Sequence, residues 1–505
     1  MIEIRLRDPR VRGNAVDFEW TVTPEHDFYR AHRFTLTFPH SVDVATVPEG
    51  LWLRVMLIFL HPHWAILRPC RVVLPRRLPA GEREFWLRMV DSAVWTLEND
   101  LDTPDGPTFA ERTHRTVELV ESGPPAGELA QVEARDVVVS SFSGGRDSLT
   151  QAAMLNELGL KPILVTTTSK REGSIEFETP RFRKVLDEMR ARTGLELVEV
   201  TSDVRTCVVN DHPLIARCKL AVSELTDTLL YFAVCWAVGS ARGARDVFLA
   251  SEAEVQESIR RDGMVVQIVH VGLTTASQRA LSALIAPTGM TYNGLTAALQ
   301  HFQIQRILDQ RYSELSDLQY SCFSQRPGED VCNDCFNCLK TALHKMSDGS
   351  APAEISIDLN KVLVTRSHWT PEDDGEQRSA VGELFAERMN SHLTRVLREY
   401  DAARVAEFVP GGVLNPDAVA GLERLRATAF AAPDPPEEPG YRAGYLELID
   451  EPLRSGLDAI FSEHFEADPL EQYEHLLDNT RLLSDWIAAP LDTAQGRVGS
   501  SPSPA

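Results

Sequence analysis

Residues 137–148 read Val-Val-Val-Ser-Ser-Phe-Ser-Gly-Gly-Arg-Asp-Ser. Val137 to Phe142 is a mostly apolar run, as expected of a strand covered on both faces. Gly144 and Gly145 then let the backbone bend sharply and bring its N–H groups close to a ligand. A helix is predicted from about Ser148 to Leu158, closed by Gly159. Its first turn offers unpaired N–H groups and a positive dipole end, so an anion is favoured there. Ser143 and Ser148 add hydroxyls; Asp147 can cap the helix or hold a Mg2+ that bridges phosphates. A Gly-Gly turn with an Asp cap is the plainer reading of the glycines alone. This is not the Walker loop, G-x-x-x-x-G-K-[ST], because no lysine stands at that position.

Outward from this loop, strands and helices alternate. Pro162–Thr168 reads as a strand, Phe182–Arg192 as a helix stopped by Gly194, and Leu195–Val200 as a strand. Ser223–Ala241 reads as a long buried helix and Val247–Ala250 as a further strand. This order predicts an α/β fold with a parallel sheet and right-handed crossovers over residues 136–350. Upstream, Phe34, Leu36 and Phe38 share one parity, and Glu82–Asn99 is a helix with Phe85, Leu87, Met89, Val90, Val94 and Leu97 inward. Residues 1–130 are thus expected to be a small α+β domain, and Glu121–Gly127, with Ser-Gly-Pro-Pro, a linker. Residues 351–490 are mainly helical, as in Val381–Ala406 and Glu471–Ile487, with an acidic Pro-rich interruption at Ala432–Gly440. Residues 491–505 end in Gly-Ser-Ser-Pro-Ser-Pro-Ala and have the composition of a disordered tail.

In 505 residues the hydrophobic share is 43% and the charged share 25%, which excludes collagen, coiled-coil and wholly disordered classes. The net charge is −23, and residues 351–505 carry most of it, with 28 acids against 13 bases. An acidic chain repels a phosphate backbone, so nucleic acid is disfavoured as a partner. The middle third is nearly neutral, which suits a small anionic ligand there; acidic solvated helix faces on the flanks would give the same distribution. Leu51–Leu67 is apolar but broken by Arg54, His and Pro, Leu229–Val238 is too short to span a bilayer, and Met1–Arg10 has no apolar signal core. A cytoplasmic protein is expected.

Cys322, Cys332, Cys335 and Cys338 gather in one segment. Three thiolates at C-x2-C-x2-C with a fourth upstream can close a tetrahedron around Zn2+, and four protein ligands describe a structural site. An iron–sulfur cluster is the rival reading. Cys70, Cys207, Cys218 and Cys235 are scattered and read as core residues.

The six residues Ser143–Ser148, Ser-Gly-Gly-Arg-Asp-Ser, resemble the phosphate loop (PP-loop) of the ATP pyrophosphatases. With Ser321-Cys322-Phe323 and the C-x2-C-x2-C run downstream, the chain resembles the 7-cyano-7-deazaguanine synthase (QueC-like) branch of that superfamily. The resemblance covers about residues 136–345 and is departed from at Leu339-Lys340-Thr341, where the family carries an arginine, and at Ser251–Glu257. It implies a HUP-type doubly wound parallel sheet. It also implies ATP held by Ser143, Gly144, Gly145, Arg146, Asp147 and Ser148, with Asp147 and Ser148 catalytic and Mg2+ bridging the phosphates. Adenine would then lie near Thr166–Ser169, with Thr167 and Ser169 as contacts, and Zn2+ on the four cysteines.

The implied reaction is adenylation of a deazapurine carboxylate, with pyrophosphate leaving, followed by attack of ammonia or of a protein amine. QueC-like proteins with added domains are associated with anti-phage systems, so a protein partner reached through the flanking regions is an expectation. Glu252–Glu257 could meet a guanine-like edge or Mg2+, or be a solvated helix start. A tRNA-modifying enzyme and an inactive nucleotide-binding scaffold are the alternatives.

Overall fold

The computed structural model describes residues 1–97, 116–133, 135–169, 180–209, 212–216, 222–261, 264–267, 272–320, 330–364, 391–435 and 438–494. Five strands carry the predicted α/β pattern: β7 (Val138–Ser141), β8 (Ile163–Ser169), β9 (Leu197–Ser202), β10 (Asp246–Phe248) and β13 (Thr291–Asn293). They lie in the order β13-β10-β7-β8-β9 and every pairing among them is parallel. The pleat sends alternate residues to opposite faces, and both faces are covered. Val139, Val165 and Val247 enter a core with α1 (Glu49–Leu67) and α5 (Val222–Arg242). Val138, Leu164 and Phe248 enter another with α3 (Arg146–Glu157) and α4 (Pro180–Thr193). That is why these strands are continuous apolar runs.

The sheet does not stop at β9. The N-terminal strands β1 (Ile2–Leu6), β2 (Arg10–Arg12), β3 (Ala15–Thr23), β4 (Arg33–Thr37), β5 (Cys70–Leu74) and β6 (Val117–Glu121) continue it through β4, which pairs antiparallel with β9 at Leu36↔Ser202 and Thr37↔Thr201. The whole is a mixed, mostly parallel sheet; a hairpin, β11 (Ser258–Arg261) and β12 (Met264–Gln267), stands apart. Residues 1–97 therefore share a hydrophobic core with the α/β region. Inside them α1 packs on α2 (Glu82–Leu97), and the buried Arg54 guanidinium meets the Glu82 carboxylate at 3.0 and 3.2 Å. Burial raises the Glu82 carboxyl above its ordinary value in spite of Arg54.

The segment read as a linker is fastened to this pair. Arg54 Nη1 donates to Gly50 O at 2.7 Å and to Gly127 O at 3.0 Å. Gly50 must be glycine for this approach, because a Cβ there would lie 2.1 Å from Gly127 O. Among the described residues α1 is the helix long and apolar enough to cross a membrane, and it is buried within the protein. Its arginine, histidines and proline do not break it.

The C-terminal helices close the fold from two sides. The last, α8 (Glu474–Ala494), places Leu483, Ile487 and Leu491 in the core shared by α1 and α5, and Trp486 stacks on Trp95 with centroids 4.9 Å apart. It runs past residue 491, where a disordered tail was expected to begin; residues 495–505 lie outside the described residues. The helix expected over Val381–Ala406 is divided within its described part into Ser391–Glu399 and Ala402–Ala406. Asp401 accepts from Arg404 N at 2.9 Å and starts the second piece. Residues 381–390 lie outside the described residues.

Candidate functional site

The chain leaves β7 towards β8 on one side and returns to its other side at β10. Loops that follow the two central strands part at such a switch point and leave a crevice at the strands' C-terminal ends, the usual ligand position in doubly wound sheets. The loop after β7 is the Ser-Gly-Gly segment. Gly144 has φ +72°, and a Cβ there would press on Val185 at 3.1 Å, so glycine is required twice over. Gly145 is the N-cap residue of α3 and makes no side-chain cap. Of the two roles read for Asp147, the helix cap is therefore not taken up; it sits in the first turn, where Arg146 Nε donates to it at 3.1 Å. The N–H groups of the helix start are left for a ligand. Ser148 Oγ donates to Gly145 O at 3.0 Å and lies 3.3 Å from Ser143 Oγ, so the two hydroxyls brace the turn. Tyr320 N donates to Gly144 O at 2.8 Å and fixes it from outside.

The loop after β10 supplies Glu252 and Glu254, and between them lies His301 at the start of α6 (His301–Gln310). His301 Nε2 is 2.8 Å from Glu252 Oε1, its Nδ1 is 3.0 Å from Glu254 Oε1, and its backbone N–H also reaches Glu254. All three side chains are half-buried. The acidic segment is thus neither a solvated helix start nor an open pair of carboxylates. Burial opposes the charge on each group, yet the partners outweigh it: His301 is held above its ordinary value by Glu254 and Glu252, and both carboxyls are held below theirs by His301.

The sign of the consequence is fixed. His301 contributes stability that is complete below its ordinary value near 6.5 and is lost as pH rises through its raised folded value. The carboxyls' share is complete above their ordinary value near 4.5 and is lost on acidification. The melting-temperature gap between the parent protein and His301→Gln should be widest near about pH 6 and shrink towards about pH 9. A gap that does not change with pH would contradict the imidazolium bridge.

α7 (Phe336–Ser347) completes the group. Lys340 and His344, four residues apart and so on one face, are electrostatic neighbours of Arg146 and of each other; Lys340 is also a neighbour of Asp147, Glu252 and Glu254, and His344 of His301. Burial, with Arg146 next, draws the Lys340 ammonium below its ordinary value. Burial, with His392 next, draws the His344 imidazole well below its own. In β8, Thr166 Oγ1 and Thr167 Oγ1, on opposite faces of the strand, are buried without a hydrogen-bond partner among the described residues. Ser169 closes the strand opposite Ser202.

Of the four cysteines, Cys332, Cys335 and Cys338 are buried together and Cys322 lies outside the described residues. Sγ of Cys338 stands 3.8 Å from that of Cys332 and 3.5 Å from that of Cys335. Thiolates about 2.3 Å from one tetrahedral ion lie about 3.8 Å apart, so the three fit a single ion. A [4Fe–4S] cluster would hold each thiolate on a different iron and further apart. Backbone N–H groups of Asp334 and Cys338 point at the sulfurs of Cys332 and Cys335, at 3.5 and 3.4 Å, which suits a negative thiolate. Cys70, Cys207 and Cys235 are buried in the core, as expected; burial pushes the Cys70 thiol up to about 12.

No family model, curated protein or solved structure matches the chain. The site must be read from its own chemistry.

A second group, His26, Asp27 and His212, has ligand atoms close enough for a metal. Its hydrogen bonds argue otherwise. Phe28 N donates to His26 Nδ1 and Leu214 N to His212 Nδ1, so each neutral ring carries its proton on Nε2, and His212 Nε2 meets Asp27 at 3.0 Å. Neither ring keeps an Nε2 lone pair for an ion.

The motifs found the loop and the cysteines. They did not find His301 or His344, which lie in ordinary helical sequence, and Lys340 stood out only as a departure from a family pattern.

Proposed function

We propose that the chain is a QueC-like ATP pyrophosphatase on a HUP-type sheet that adenylates a carboxylate of the 7-carboxy-7-deazaguanine type. The observation that carries this reading is the uncapped start of α3 behind Gly144 and Gly145 at the switch point. In the reaction a carboxylate oxygen attacks the α-phosphorus of ATP, the new O–P bond forms, and the bond to pyrophosphate breaks. The chain's part is to orient and to offset charge. Ser143, Gly144, Gly145 and Ser148 cradle the β- and γ-phosphates, Arg146 faces them, and the unpartnered hydroxyl of Thr167 and the end of β8 at Ser169 border the adenine. Asp147 would hold Mg2+, which supplies positive charge to the phosphates. Cys332, Cys335 and Cys338, with Cys322, would hold Zn2+ as a structural ion. An amine, from ammonia or from a protein partner, then attacks the acyl carbon, and AMP leaves with the C–O bonding pair.

The test is mass spectrometry of the protein incubated with ATP, Mg2+, 7-carboxy-7-deazaguanine and ammonium. AMP with an amide or nitrile product is expected, and Asp147→Asn should slow AMP formation by about 10²-fold or more. Intact ATP under these conditions, with and without cell extract as a source of acceptor protein, would overturn the reading.

A further inference from the structure

The two walls of the switch-point crevice are fastened by different parts of the chain. β7 and β10 are hydrogen-bonded neighbours with Ser140 opposite Phe248, so the loops that follow them leave the sheet side by side. The loop after β7 is fixed from within the α/β region, by Tyr320 N on Gly144 O. The loop after β10 is fixed from the C-terminal region. Ala253, between Glu252 and Glu254, donates its N–H to Leu299 O at 2.7 Å, and its carbonyl accepts from Arg442 Nη1 at 3.1 Å. The backbone N–H of Arg442 goes to Ala298 O at 2.8 Å. One residue thus grips both the loop that carries the two carboxylates and the stretch that leads into His301.

Arg442 is the end of a stiff segment. Residues 438–442 lie along α6, where Arg306 Nη2 donates to Glu438 Oε1 at 2.7 Å and Gln303 Nε2 to Pro439 O at 3.0 Å. Arg306 is itself held by Asp348 at 2.9 Å. On the other side Tyr441 N donates to Glu466 O at 3.0 Å, Asp468 N to Tyr441 O at 2.9 Å, and Gly440 N to Asp468 Oδ1 at 2.7 Å. The fit has no slack, since a Cβ on Gly440 would lie 2.1 Å from Glu466 O. A segment bonded along both edges passes its position on to the loop it grips. The His301 bridges, 2.8 Å to Glu252 and 3.0 Å to Glu254, hang from the two residues that flank Ala253, and hydrogen bonds weaken steeply when their angle is lost.

We propose that Glu438–Arg442 is a strap that sets the β10 wall of the crevice, with Arg442 a positioning residue for Glu252, Glu254 and His301. The C-terminal region is then part of the site. The strap rests on the adenylation reading only for its effect on turnover.

NMR titration of the full chain with isotope-labelled histidine tests it, the His301 signal being identified by its loss in His301→Gln. In Arg442→Met the His301 midpoint should move down from its raised value towards the ordinary one, because the carboxylates drift from the ring. In Arg442→Lys, whose ammonium can still donate to Ala253 O, it should stay with the parent's. Glu438→Gln, which loosens the strap at its far end, should give a smaller downward shift and serves if Arg442→Met does not fold. The other charges around this ring, those of Arg146 and Lys340, and the neighbouring His344 are the same in every variant. The sign separates positioning from charge alone, because deleting a nearby cation raises an imidazole's midpoint. A raised or unchanged midpoint in Arg442→Met, or in Glu438→Gln where that variant stands in, overturns the proposal.

AMP formation should fall about tenfold in Arg442→Met, with KM for ATP within about threefold of the parent, and recover in Arg442→Lys. Failure of the two readings is distinguishable. A parent that forms no AMP while the midpoint shifts keeps the strap and loses the adenylation. Arg442→Met that forms AMP at the parent's rate keeps the adenylation and overturns the strap's part in it.

Discussion

Cys338→Ser is expected to abolish the zinc binding proposed for these thiols and to unfold one part of the molecule ahead of the rest. The thiols form one end of a third hydrophobic core that includes Leu339, Leu343, Leu359, Val362, Leu393, Leu397 and Leu422, separate from the two cores flanking the sheet. Cys335 Sγ caps α7 by accepting from Cys338 N, so the ligands and the helix start are one structure. Cys338 Sγ stands 3.8 and 3.5 Å from the sulfurs of Cys332 and Cys335, and thiolates that close repel one another unless a cation lies between them. Structural zinc contributes about 10–16 kcal/mol to folding in small zinc domains. Calorimetry of the variant should show an added low-temperature transition, and elemental analysis about one zinc fewer per chain. Purified parent protein without zinc, or a variant with the parent's single transition, would count against a structural ion here.

The second large effect is expected at Lys345. This ammonium is fully buried against Asp309, which also takes a hydrogen bond from Gln305 Nε2 at 3.0 Å and one from the Ser316 hydroxyl. Lys345→Met leaves the Asp309 carboxylate buried without its cation, and loss of one partner of such a pair costs about 3–5 kcal/mol. Lys345→Met with Asp309→Leu removes both charges and should recover much of that loss, because the desolvation penalty goes with them. Urea unfolding of the three proteins measures it. A single variant within about 1 kcal/mol of the parent would mean that the pair is not ionised, and an additive double variant that the two groups are not coupled.

The legible part of this protein was the part where one residue type does one physical job. Val137–Phe142 announced a strand because both faces are covered, and Gly144 announced a turn because the backbone there needs positive φ. The spacing of Cys332, Cys335 and Cys338 survives folding because the bend before α7 and the first turn of that helix hold all three within seven residues. His301 was invisible because its partners are some 50 residues away and a lone histidine carries no spacing. The helix over Val381–Ala406 was drawn too long because Asp401 reads as one more polar residue until its carboxylate is seen to cap a new start. Glu121–Gly127 read as a linker by composition, whereas Arg54, seventy-three residues upstream of Gly127, holds it down.

The joint between β4 and β9 also sets where this chain can be cut. With residues 1–130 removed, β9 becomes a bare margin: the main-chain groups of Thr201 and Ser202 lose Thr37 and Leu36 as partners. An unpaired margin of that kind is a template for any other extended chain, including β9 of a second molecule. The isolated central region would then trade its solubility for self-association, and the first strands of the protein serve as the selvedge that keeps the sheet from being extended by strangers.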